Sequence, residues 1–213
     1  MISTKTSIAI SLSVYLGLSL LLISITNHYI LTINFFENSN EFLSGIPGQE
    51  QEIYNNLQKY LYLSSCIYST FKIGLIALVI YTGLYLSNQQ TSFSKTFLIT
   101  LRSELIFLIP AAIKIIWFKY YYPSGTLADW HRVYIFSALS FFDAIPADWY
   151  YPLQTLNAFE IIYWFILARG VQRVTQLNYD KSLRIVVCSY VPALFVWIVF
   201  VSFCTVVLSP GNA

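Results

Sequence analysis

Residues 96–118 read TFLITLRSELIFLIPAAIKIIWF. At about 1.5 Å of rise per residue a helix over this stretch is ~34 Å long, enough for a bilayer core of roughly 30 Å. Its Leu, Ile, Phe and Ala residues call for lipid or other apolar helices as surroundings. Yet Arg102, Glu104 and Lys114 interrupt it, and Pro110 lies near its middle. A charge at the bilayer centre costs roughly 2.5–3.5 kcal/mol on insertion scales, so each needs a partner or a route to the surface. Pro110 has no N–H, and its ring crowds the carbonyl four residues back, so the sequence predicts a kinked span. This segment makes the chain a membrane protein and poses its main question, where the charges go.

The rest of the chain is of the same kind. Of its 213 residues 57% are hydrophobic and only 10% charged, against roughly 25% charged in a soluble domain. Mean hydropathy is +0.62. One integral membrane domain, 1–213, is expected. Further apolar runs lie at 7–25, extending toward Ile30, at 60–86 with Lys72, at 153–171 with Glu160, and at 183–208 with Pro192 as a second kink. The run at 7–25 is longer than the apolar core of a cleavable signal and reads as a retained signal anchor. Residues 130–142 are apolar but fall short of the roughly 20 needed to cross, so they read as a re-entrant or tilted helix. The expected fold is an all-α bundle of five spans plus this short helix. Residues 37–59 form the most polar segment, with a turn expected at Gly45-Ile46-Pro47-Gly48 and a short helix at 50–59. Trp117 with Tyr120, Tyr121 and Tyr122, and Trp149 with Tyr150 and Tyr151, have the composition of membrane–water interfaces.

Basic residues orient the bundle. Arg169, Arg173, Lys181 and Arg184 fall between the last two apolar runs, and Lys5 and Lys95 precede the first and third. Lys and Arg concentrate in cytoplasmic loops, so five spans with the N-terminus inside and the C-terminus outside satisfy the bias. The acidic 37–52 loop, Asp129, Asp143 and Asp148 then lie outside. A net charge of +2 without a basic face argues against nucleic acid. Cys66, Cys188 and Cys204 lack CxxC spacing and read as small hydrophobes. His28 and His131 sit at outer edges of apolar runs and read as interfacial rather than as haem ligands. There is no HExxH or GxSxG motif, and the sequence implies no metal, cofactor or catalytic group.

The part from about Ser92 to Phe203 resembles the Yip1 family in its bacterial form. The resemblance is carried by Ser-Phe-Ser-Lys at 92–95, the kinked charged helix LRSELIFLIPAAIKIIWF at 101–118 and Ser-Ala-Leu-Ser-Phe-Phe at 137–142. It continues with PLQTLNAFEIIYWFILARG at 152–170 and a basic loop before the last apolar helix. It implies a five-span helical bundle with a cytoplasmic N-terminus, in a bacterial cytoplasmic membrane. The vesicle-trafficking role of eukaryotic members is not carried over.

The intramembrane charges are the candidate functional residues. Arg102 and Glu104, two apart, point to different sides of a helix and must each look to another one. Estimated depths match Lys72 with Glu160 and Glu104 with Arg169, so two interhelical pairs are expected, with Lys114 competing for Glu160. Arg102, with no protein partner in this scheme, and Lys114 are assigned to a lipid or ligand contact. The expected function is non-enzymatic: an accessory or scaffold protein that binds other membrane proteins or lipid. The alternative is a small transporter or channel using Lys72, Arg102, Glu104 and Glu160.

Overall fold

The computed structural model describes residues 3–38, 50–142 and 145–208. The turn expected at 45–48, together with Glu41 and Asp143, falls outside them. Among the described residues nine α-helices follow one another: α1 (Thr4–Tyr29), α2 (Ile33–Asn38), α3 (Glu50–Leu86), α4 (Phe93–Glu104), α5 (Leu108–Tyr121), α6 (Leu127–Arg132), α7 (Tyr150–Thr155), α8 (Ala158–Thr175) and α9 (Tyr179–Leu208). Among the described residues there is no strand, only an antiparallel bridge between Ser137 and Asn157.

Four helices are long and apolar enough to cross a bilayer: α1, α3, α4 continued by α5, and α9. The 18-residue α8 carries Glu160, Arg169 and Arg173 and does not count among them. The kinked span is present. A tight turn at Leu105–Phe107 separates α4 from α5, in the turn before Pro110, which has no N–H to offer the carbonyl four residues back. Pro192 sits inside α9 without ending it.

The core lies among α3, α4, α8 and α9. Ile76, Ile80 and Leu84 of α3 meet Tyr163, Leu167, Ala168 and Val171 of α8 and Val186 and Tyr190 of α9. α4 and α9 each pack against both α3 and α8, so α3 and α8 oppose one another across the core. Gly170 permits the α4–α8 approach, since a Cβ there would collide with the side chain of Ile99. α1 lies outside this group and runs parallel to α4 and α5. Tyr15 packs with Leu101 in the first half of both spans, and Ile30 packs with Ile115 and Phe118 at their far ends.

Three expected boundaries change. The polar 50–59 stretch is not a separate helix but the first turns of a 37-residue α3. Residues 130–142 are not one re-entrant helix. They hold the end of α6, an extended link with Phe136 at φ 53°, and a short 3-10 turn at Ala138–Phe141. The fourth apolar run is divided at Leu156 and Asn157, so α8 starts five residues later than expected and continues past Gly170 to Thr175.

Candidate functional site: an intramembrane polar chain

The Lys72 ammonium of α3 lies 2.9 Å from Glu104 Oε2 of α4. Glu104 is fully buried, whereas the Lys72 side chain remains 36% exposed at the protein surface. Glu104 ends α4 immediately before the proline-dictated turn, and Phe107 of that turn lies under the same ammonium, 4.8 Å from Nζ to the ring centre. The kink therefore presents a carboxylate and an aromatic face to one lysine. Glu104 Oε1 and the Tyr163 hydroxyl are buried without a hydrogen bond of good geometry.

Glu160 has a different environment. Asn157 caps α8, its Oδ1 accepting the Glu160 backbone N–H at 2.8 Å, which fixes the start of the helix. The Glu160 side chain is buried. Its Oε1 accepts the Tyr190 hydroxyl at 2.8 Å and the Trp164 indole N–H at 3.1 Å. Tyr190 and Tyr163 meet edge to face with centroids 5.5 Å apart. A chain of polar groups thus runs Lys72, Glu104, Tyr163, Tyr190, Glu160, Trp164 across α3, α4, α8 and α9; it is hydrogen-bonded at Lys72–Glu104 and at Tyr190–Glu160–Trp164, and Tyr163 meets Tyr190 through its ring.

Neither expected pair forms. Lys72 bonds Glu104 and not Glu160. α3 and α8 are opposite rather than adjacent, so Lys72 pairs with Glu104 of α4 while Glu160 bonds Tyr190 of α9. Glu104 does not meet Arg169, which is exposed on α8. At about 1.5 Å per residue Arg169 lies roughly 9 Å from the end of α8, while Glu104 lies roughly 16 Å from the start of α4. Lys114 does not compete for Glu160. Its ammonium lies between the faces of Trp130 and Tyr134, at 4.2 and 4.5 Å, and holds the link after α6 to α5. Arg102 is exposed, and its Nε donates to Ser11 Oγ of α1 at 3.4 Å. Lys72–Glu104 is the one ion pair among the described residues.

Tyr163, Trp164 and Tyr190 are the members that a search for charges misses. The signal was present for two of them: Tyr163 and Trp164 follow Glu160 by three and four residues and share its face. Nothing in the sequence assigns Tyr190 to that face.

Two open grooves lie elsewhere. One, about 530 Å³, lies where α1 and α2 meet the start of α3, beside Asn27, Tyr54 and Gln58. The other, about 470 Å³, lies between α3 and α9 beside Gly83 and Ser189. Neither is lined by Lys72, Glu104 or Glu160. No cluster of three metal-ligating side chains occurs among the described residues. Cys66, Cys188 and Cys204 are unpaired, with Cys188 exposed and the other two half-buried. No protein-family model, curated protein or solved structure matches the chain.

Proposed function

We propose that the chain is a Yip1-like bundle of a bacterial cytoplasmic membrane that acts without catalysis, as an accessory or scaffold protein binding other membrane proteins or lipid. The observation that carries this reading is that each of the two buried carboxylates is held by a neighbouring helix. Lys72 neutralises Glu104, and Tyr190 and Trp164 satisfy Glu160. Groups committed in this way fix which helices neighbour one another.

In this reading α8 is the fifth crossing. Its 18 residues measure about 27 Å as a helix, and its one carboxylate is hydrogen-bonded inside the bundle. Lys5, Lys95, Arg169, Arg173, Lys181 and Arg184 then gather at one end, which the basic bias makes cytoplasmic, with the N-terminus inside.

The competing reading is transport. Its support is the unfilled hydrogen-bonding capacity of Glu104 Oε1 and Tyr163 within the chain of groups. Purified protein in proteoliposomes with pH-, Na⁺- and Cl⁻-sensitive dyes separates the two. The scaffold reading expects no flux above that of empty vesicles, and the same for E160Q. A flux abolished by E160Q overturns it in favour of a transporter.

A further inference from the structure

Arg102 belongs to the kinked span, yet its side chain is exposed on the outer surface of the bundle. Its bond to Ser11 is long, at 3.4 Å, and uses Nε. No carboxylate pairs with it among the described residues. An outward-facing guanidinium at this depth is costly unless an anion meets it.

The surroundings define that anion. α1 and the α4–α5 span run in register, since Ser11 lies beside Arg102 and Tyr29 beside Lys119, 4.3 Å from Nζ to the ring. Lys5 in the first turn of α1 and Lys95 in the first turn of α4 therefore stand at one level, and both are exposed. Neither first turn contains an acidic residue. Lys95 precedes Arg102 by seven residues, on the same helical stripe and about 10.5 Å toward the membrane surface. In the other direction Leu18 and Ile109, seven residues beyond Ser11 and Arg102, continue the two stripes and are exposed. Cations lie above, a guanidinium below them, and apolar surface deeper still. A glycerophospholipid has the matching order of headgroup, phosphate and acyl chains. A partner helix offering one carboxylate would leave Lys5 and Lys95 unanswered.

We propose that the α1–α4 groove binds one anionic glycerophospholipid, with its phosphate on Arg102, its headgroup beside Lys95 and Lys5, and an acyl chain along Leu18 and Ile109. The planar guanidinium is suited to a bidentate phosphate contact, and its long stem reaches toward the surface. The inference rests on the membrane-binding reading above and names lipid as the ligand.

Native mass spectrometry of the full chain in a neutral detergent, titrated with phosphatidylglycerol or phosphatidylcholine of equal chain length, tests it. A single phosphatidylglycerol should bind about tenfold more tightly than phosphatidylcholine, as expected for a site of several cations. R102Q should abolish the preference with an unchanged melting transition, R169Q should retain it, and millimolar glycerol phosphate should not displace the lipid. K5Q/K95Q, at two exposed positions, is the second arm and should lower the preference severalfold. Equal binding of the two lipids, a preference that survives both R102Q and K5Q/K95Q, displacement by glycerol phosphate, or an Arg102-dependent protein complex in place of lipid overturns the proposal. Absent lipid preference with no ion flux removes the lipid and leaves the scaffold reading. Ion flux with intact lipid preference does the reverse.

Discussion

Glu160 shows what a buried carboxylate requires. It lies in the first turn of α8, where its charge favours the helix dipole, and one oxygen accepts two side-chain donors. Removing the Tyr190 hydroxyl leaves that oxygen with a single donor. Y190F should lower stability by roughly 1.5–3 kcal/mol, the range for hydrogen bonds to charged groups, measured by denaturant unfolding in bicelles. An unchanged unfolding curve would mean that the hydroxyl bond contributes nothing. At this scale the sequence was only half legible. It gave up every charge and, through the fixed rise of a helix, the order of those charges along each span. It could not give azimuth or adjacency, which depend on how several helices pack, so the partners came out wrong. The tyrosines that complete the chain were hidden among many others assigned to interfaces.

At the scale of elements, local chemistry was easier to read. Pro110 forces the break between α4 and α5, and Asn157 starts α8 as its cap. Residues 130–142 were misread because hydrophobicity alone cannot distinguish a helix from an extended link that packs at an interface. Gly170 lies near the end of the expected 153–171 run, and its role is to admit Ile99. G170V should strain the α4–α8 contact by roughly 1–3 kcal/mol, the usual cost of overpacking. Adding I99A should recover part of that loss; equal losses in the single and double variants would deny the contact.

The α6 cap supplies a pH dependence. The backbone N–H of Thr126, and then its hydroxyl, hold the Asp129 carboxyl below the ordinary aspartate range. A depressed folded value means that the cap's contribution is present above the unfolded value of about 3.9 and is lost as pH falls through the folded one. A fluorine label on Trp130 should report an acid transition below the usual aspartate range, absent in D129N. A transition unaffected by D129N would place the titrating group elsewhere.

For the whole molecule, the apolar runs made an all-helical membrane bundle legible at once, because a chain so poor in charge has few other ways to fold. The structure supports four long apolar helices directly, and the fifth crossing is argued from α8 and its internally bonded Glu160. The basic end is the second global feature. Membrane-impermeant labelling of single cysteines at Lys95 and at Lys181 in intact cells should fail at both positions and succeed at Tyr121. Labelling at Lys181 from outside would invert the topology.

The central claim is that the intramembrane charges close the bundle, and the Lys72–Glu104 pair carries it. A double-mutant cycle on the full chain in nanodiscs tests this most directly. K72M and E104Q should each cost toward the lower end of roughly 3–5 kcal/mol, because each leaves one charge without its partner, while K72M/E104Q should return to within about 1 kcal/mol of the wild type. Additive losses in the double variant, or single variants as stable as the wild type, would contradict the account.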